Sequence, residues 1–141
     1  MSDRHPLGLH ETTLLNLAGY RIRLHHWTGS GSHAPHNHRA PFLSIPLLGR
    51  YAETRHIRMP GSAYRLIATR QHDGQARVNI DAGMRGGLAA GATVIRKPLR
   101  PYRCPLDAIH AYWPIGRGPH WSLVLSGRAV RDTSTVWQEN A

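Results

Sequence analysis

The sequence predicts an all-β fold, a closed barrel or sandwich of short antiparallel strands. Three observations carry this: apolar and polar residues alternate with period two, apolar runs are short, and Gly, Pro, Asn and Asp separate them. Roughly ten such strands close into one barrel or pack as two sheets. At 141 residues the chain holds one domain with a proper core.

Residues 1–19 are expected as an N-terminal extension packing on the barrel, and residues 20–137 as the barrel itself. Within the extension, Glu11 to Ala18 is the one stretch that suggests a helix. Tyr20, Ile22 and Leu24 alternate with Arg21, Arg23 and His25, the signature of a half-buried strand. Phe42 to Leu48 is more continuously apolar, Gly49 is a turn, and Tyr51 to Met59 is the return strand. Tyr64 to Thr69 and Ala76 to Ile80 form a hairpin around Gln71-His72-Asp73-Gly74, with Asp-Gly as the turn signal. A Gly-rich stretch from Gly83 to Gly91 leads into a short strand, Ala92 to Arg96. Ile109 to Pro114 and His120 to Ser126 are strands joined through Gly116-Arg117-Gly118-Pro119, and Trp121, Leu123 and Leu125 share one face. Arg128 to Trp137 supplies the last strand. There is no internal repeat, linker or low-complexity tract.

Composition narrows the partners. Hydrophobic residues make up 40%, enough for a packed interior. The single cysteine, Cys104, rules out an intrachain disulfide and suits a reducing compartment. MSDRHPLGLHETT contains no apolar signal core, and no run nears the roughly 18 apolar residues of a membrane helix. A soluble, cytoplasmic protein without a membrane partner is expected. Lys and Arg outnumber Asp and Glu by 18 to 8, a net charge of +10. The positive residues are scattered from Arg4 to Arg131 without a run of three, and all but Lys97 are arginine. Without an aromatic-basic platform, nucleic acid is not the expected partner, whereas a small anionic substrate fits the charge.

Eleven histidines are present, and their spacing says more than their number. In PHNHRAPFLSIPLLGRYAE, residues 35 to 53, His36 and His38 are two residues apart. On a strand such a pair shares one face, with backbones about 6.5–7 Å apart. Two imidazoles can then converge on one ion at about 2.0–2.1 Å, leaving positions for a third ligand and for substrate or water. The pair alone is weak evidence for a metal site and reads more readily as a solvated loop. His33 is placed in the loop before it, with a ligand or supporting role as the alternative, His72 in a hairpin turn, and His120 at the rim of a strand, with the pocket wall as the alternative.

The wider pattern resembles the cupin superfamily. After His36-Asn37-His38 come three residues, then Phe42, then six residues and Gly49, which matches the first cupin motif except that Phe42 stands where a glutamate is usual and that Gly29 and Gly31 miss the interval of the motif's opening glycine. Pro105-Leu106-Asp107-Ala108-Ile109-His110 is similar to the second motif, with Asp107 in place of glycine, and AAGATVIRKP resembles the turn and strand leading into it. FLSIPLLGRYAE and the C-terminal HWSLVLSGRAVRDTSTVW resemble segments of small bacterial cupins of unassigned function.

This resemblance implies a single-domain cupin β-barrel, a jelly roll of two packed antiparallel sheets. It also implies metal ligation by His36, His38 and His110. Such an all-histidine site resembles that of the thiol dioxygenase branch, in which this position also departs from glutamate. One divalent ion is expected, Fe(II) favoured over Zn, Mn or Ni. Three neutral imidazoles leave its charge intact, which favours an anionic or chelating substrate. Ile109-His110-Ala111-Tyr112-Trp113-Pro114 also resembles the H-x-Y-x-P segment of that branch, where the histidine instead orients a tyrosine. Tyr112 is therefore expected either as a pocket acid or hydrogen-bond donor or as barrel packing. Glu53 is expected to act as a general base or to anchor an arginine, and Arg23, Arg55 or Arg96 to clamp a carboxylate or be solvated. Cys104 reads as a small buried hydrophobe. The expected function is a mononuclear metal-dependent oxygenase or oxidase working on a small-molecule substrate as a homodimer. A non-redox isomerase, cyclase or bond-forming enzyme and a non-catalytic ligand-binding cupin stand beside it.

Overall fold

Alternation along the chain resolves into two antiparallel sheets in a computed structural model, which describes residues 2–5, 8–28, 32–70, 78–131 and 133–139. The six-stranded sheet runs β1 (Ser2–His5), β2 (Leu9–Leu17), β3 (Tyr20–Trp27), β10 (His120–Ser126), β5 (Phe42–Leu48) and β8 (Tyr102–Cys104). The five-stranded sheet runs β11 (Ser134–Glu139), β4 (Ser32–His36), β9 (Ile109–Ile115), β6 (Arg50–Arg70) and β7 (Val78–Arg96). The first half of β6 pairs with β9 and its second half with β11, which also meets β4 at Val136 and His36.

The sheets meet over an aromatic core. Tyr51 of β6, Tyr102 of β8 and Tyr112 of β9 are buried together, with Trp27 of β3 packed against them. Tyr51 and Tyr112 stack with centroids 4.8 Å apart and planes 10° from parallel. Each such aromatic contact adds about 0.5–1.5 kcal/mol beyond the area it buries.

Gly49 turns the chain from β5 into β6 with φ of +79°, a left-handed conformation. A Cβ there would lie 2.4 Å from the His120 ring and 2.9 Å from the Pro119 carbonyl oxygen, so only glycine fits.

Several expectations are corrected. Glu11 to Ala18 is not helical: Leu9–Leu17 is a strand paired with β3. The reason is a two-residue hairpin turn, Ala18-Gly19, with φ of 52° and 86°, the sign pattern of a type I′ turn. Cross-strand pairing then overrides a weak helical preference. The Gly83–Gly91 stretch is no connector but the middle of β7, and Tyr51–Met59 and Tyr64–Thr69 are parts of one strand, β6. There the β6–β7 register shifts between Met59 and Tyr64, and Gly87 lets β7 approach the Met59 and Pro60 carbonyls, which a Cβ would meet at 2.8 Å. The last strand begins at Ser134, not Arg128. The Gln71–Gly74 turn and His72 lie outside the described residues. His33 lies on β4 by its backbone rather than in a loop, because the strand extends to Ser32, which pairs with Tyr112.

Candidate metal centre

Two strands, β4 and β9, and the loop after β4 bring His36, His38 and His110 together. His36 ends β4 and lies opposite His110 of β9 across the ladder. His38 follows just beyond the strand, and Asn37 between them is buried. The Asn37 side-chain carbonyl accepts the Thr135 N–H at 2.7 Å, and the Asn37 N–H donates to the Thr135 carbonyl at 3.1 Å. The segment is thus fastened to β11. Arg131 donates to the His38 carbonyl at 3.1 Å and to that of Leu106, so the two motif segments share one clamp.

The three rings lie with centroids 4.8–5.0 Å apart, and one nitrogen from each lies within 4.8 Å of the others. Hydrogen bonds set the tautomers. His36 Nδ1 lies 3.1 Å from the Ala34 carbonyl, which can only accept, so the proton sits on Nδ1 and a lone pair on Nε2. His110 Nδ1 donates to Glu53 Oε2 at 2.7 Å, which likewise leaves a lone pair on its Nε2. His110 Nε2 in turn is 2.9 Å from His38 Nε2. Two ligands about 2.05 Å from one ion at a right angle stand about 2.9 Å apart, so this separation fits an ion as well as a shared proton. Burial, then the neighbouring His36 and His110 and the charges of Arg23 and His25, holds His38 well below the usual imidazole value. It is therefore neutral, the state in which imidazole ligates. The donor set fits a divalent ion.

Glu53 stands behind His110, buried, with its side chain fully enclosed. Burial alone would raise its pKa. The hydrogen bonds and charges of His110 and Arg96 outweigh that and hold it at about 2. Arg96 Nε and Nη2 donate to Oε1 at 3.2 and 2.6 Å, and Arg55 Nε lies 3.4 Å from the same oxygen. A carboxylate behind a ligating histidine fixes ring orientation and tautomer and raises ligand basicity. The carboxylate absent from Phe42 thus has a counterpart one shell further out. Phe42 itself packs edge-on against His38 at 4.7 Å.

The remaining expected residues fall into place around this. Tyr112 is two residues from His110 along β9, and burial, then the neighbouring Tyr102, pushes its hydroxyl pKa up. Arg55 and Arg96 face Glu53, which occupies the guanidinium groups proposed for a substrate carboxylate. His120 is buried rather than at a rim, its Nε2 donating to the Ile115 carbonyl at 2.8 Å. Cys104 is buried, with its thiol pushed up to about 12 by burial and then by the charge of Glu53.

Sequence reasoning weighed Arg23 as an inward guanidinium but missed that His25 and Glu11 join it in an interior polar group. Arg23 and His25 lie on the same face as Trp27, opposite the buried residues Val124, Ser122 and His120 of β10. The Glu11 carboxylate lies 3.5 Å from Arg23 and 3.4 Å from His25. The alternation Arg23-His25-Trp27 was the available signal. An apolar residue, not a charged one, is the usual inward choice, and here the polarity is reversed.

No protein-family model matches this sequence, and no curated protein sequence matches it either. Solved structures do resemble it. Recombinant oxalate oxidase in complex with glycolate superposes with a TM-score of 0.51 at 15% identity, over 92% of this chain and 55% of its own length. The chain therefore spans little more than half of that enzyme. Peruvianin-I, described as a cysteine peptidase from Thevetia peruviana latex, superposes with a TM-score of 0.50 at 16% identity, over 98% of this chain and 72% of its own. Oxalate oxidase is a cupin β-barrel, and the fold here is of that class: a single all-β chain of two antiparallel sheets.

Proposed function

We propose that the chain is a metal-dependent cupin enzyme acting on a small polar or anionic substrate, with His36, His38 and His110 as ligands and oxygenase or oxidase chemistry as the reaction class. The observation that supports it most is the trio of ring nitrogens around one point, one of them backed by Glu53. A divalent ion, Fe(II) first and Zn, Mn or Ni otherwise, would supply Lewis acidity there and, as iron, oxygen activation.

The chain's own residues supply the rest. Neutral imidazoles bring no charge to offset the ion, and the charge of Glu53 is matched by Arg96 and Arg55. The centre is therefore electropositive and attracts anions. Glu53 is enclosed and held ionised by cations, so its role is to position His110 and not to act as a base. Tyr112, with a raised pKa, stays protonated and offers a hydrogen-bond donor, while the Tyr51 and Trp27 rings beside it limit water. Peptidase chemistry of the kind ascribed to Peruvianin-I is not proposed: a buried thiol with a raised pKa is the reverse of an activated nucleophile.

The test is oxygen uptake by Fe(II)-loaded protein over a panel of small mono- and dicarboxylates. Uptake is expected with the wild type and about 100-fold less with His38→Ala. Turnover with Zn(II) in the absence of oxygen would move the assignment to non-redox chemistry. Binding without turnover of any panel member would leave a ligand-binding barrel.

A further inference from the structure

Glu53 has more cationic company than its bond to His110 needs. Its side chain is fully enclosed, and groups from β6, β7 and β9 converge on it. One carboxylate oxygen, Oε2, accepts the His110 Nδ1–H at 2.7 Å. The other, Oε1, faces two guanidinium groups: Arg96 donates from Nε and Nη2 at 3.2 and 2.6 Å, and Arg55 Nε lies 3.4 Å away. One oxygen serves the histidine and the other serves the cations.

The two arginines are not equivalent. Arg96 ends β7 opposite Tyr51, and its guanidinium carbon lies 4.4 Å from the centre of the Tyr102 ring, which belongs to the facing sheet and is buried. A cation seated on an aromatic face is held there by the ring's quadrupole, so the aim of this fork at Glu53 is fixed. The Arg96 side chain is 23% exposed, that of Arg55 40%. Arg55 also donates to the Arg103 carbonyl at 2.6 Å. Arg96 is thus the closer and less solvated partner of Glu53, and Arg55 the weaker one.

A carboxylate behind a ligating imidazole strengthens that ligand as an electron donor. A cation on the opposite oxygen draws the same charge the other way, and little solvent is present to screen either pull. We infer that Arg96 is a positioning residue that sets the electronic character of the metal centre: it draws the Glu53 charge away from His110, and so keeps an ion held there electron-poor. Arg55 acts in the same sense and more weakly. The inference rests on the reading of His36, His38 and His110 as ligands, and it gives Arg96 a task without contact to ion or substrate. Without Arg96, the Glu53 charge falls on His110, which becomes a stronger donor and favours the oxidised ion.

Arg96→Gln, Arg55→Gln and Arg96→Lys, which keeps the charge but not the fork, test this in the full-length chain. Each is reconstituted with iron and its Fe(III)/Fe(II) midpoint read by dye-mediated titration, and Zn(II) affinity is read by chelator competition. Arg96→Gln is expected to lower the midpoint and to bind Zn(II) about 10-fold tighter. Arg55→Gln should shift both in the same direction by less, and Arg96→Lys should stay near wild type. A purely structural contact predicts the opposite sign for Zn(II), weaker binding, with the midpoint unmoved. Most of the Arg96→Gln shift should vanish in a Glu53→Gln background, and a shift of full size there would overturn the relay. Arg55 is the more exposed of the two, so its variant reports the same sign if Arg96→Gln does not fold. An unchanged or raised midpoint in a folded, iron-loaded Arg96→Gln or Arg55→Gln protein overturns the inference and leaves the metal reading standing. A folded wild type that takes up neither iron nor zinc overturns both.

Discussion

At the residue scale, the candidate site depends on which nitrogen of each histidine carries its proton. Glu53 fixes this for His110, and losing a carboxylate partner of a ligand typically costs 10–100-fold in metal affinity. Glu53→Gln, which keeps the shape, is therefore expected to weaken Zn(II) binding by about that factor in competition titrations with a chromogenic chelator. Glu53 also links stability to pH. Its folded pKa, about 2, lies below the unfolded value near 4.5. It therefore contributes stability that is complete above about 4.5 and is lost as pH falls toward about 2. Urea unfolding of wild type should lose stability across that window, and Glu53→Gln should be flatter there. Spacing made His36 and His38 legible as a pair, because that interval is local, and the resemblance to cupin motifs joined His110 to them. Spacing could not show that Glu53 backs His110, a pair 57 residues apart. The β6–β9 register, with Glu53 opposite Tyr112 and Arg55 opposite His110, creates that contact. Nor could it reveal that Glu11 lies beside Arg23 and His25.

At the element scale, the turns carry most of the testable content. Gly49→Ala places a methyl group against the His120 ring in a left-handed backbone, which is expected to destabilise the fold by roughly 1–3 kcal/mol. Thermal unfolding would show it as a lowered midpoint. In the Ala18-Gly19 turn, Ala18 has φ of 52°, a conformation that asparagine tolerates far better. Ala18→Asn should therefore raise the midpoint by a few degrees, about 0.5–1 kcal/mol. Alternation exposed β3 and β10, and a continuous apolar run exposed β5. Alternation alone does not say which face is inward. In β3 the polar residues Arg23 and His25 face the interior and Ile22 and Leu24 the outside, because the barrel encloses a polar site and leaves an apolar wall. β2 was hidden for another reason: Thr12 and Leu15 gain their strand conformation from pairing with Leu24 and Ile22, which no local propensity reports.

At the scale of the whole molecule, two sheets close over the Tyr51–Tyr102–Tyr112 core and bring the three histidines together. The all-β class was readable from turn spacing and alternation, since both survive without tertiary knowledge. The sheet order was not, since it rests on long-range pairings such as β3 with β10. The central claim is that His36, His38 and His110 hold a metal ion. Elemental analysis of protein purified without a polyhistidine tag, before and after anaerobic reconstitution with Fe(II), tests it most directly. About one ion per chain in the wild type and almost none in His110→Ala is the predicted result. A folded wild-type protein that emerges metal-free and cannot be loaded with Fe(II), Zn(II), Mn(II) or Ni(II) would contradict it.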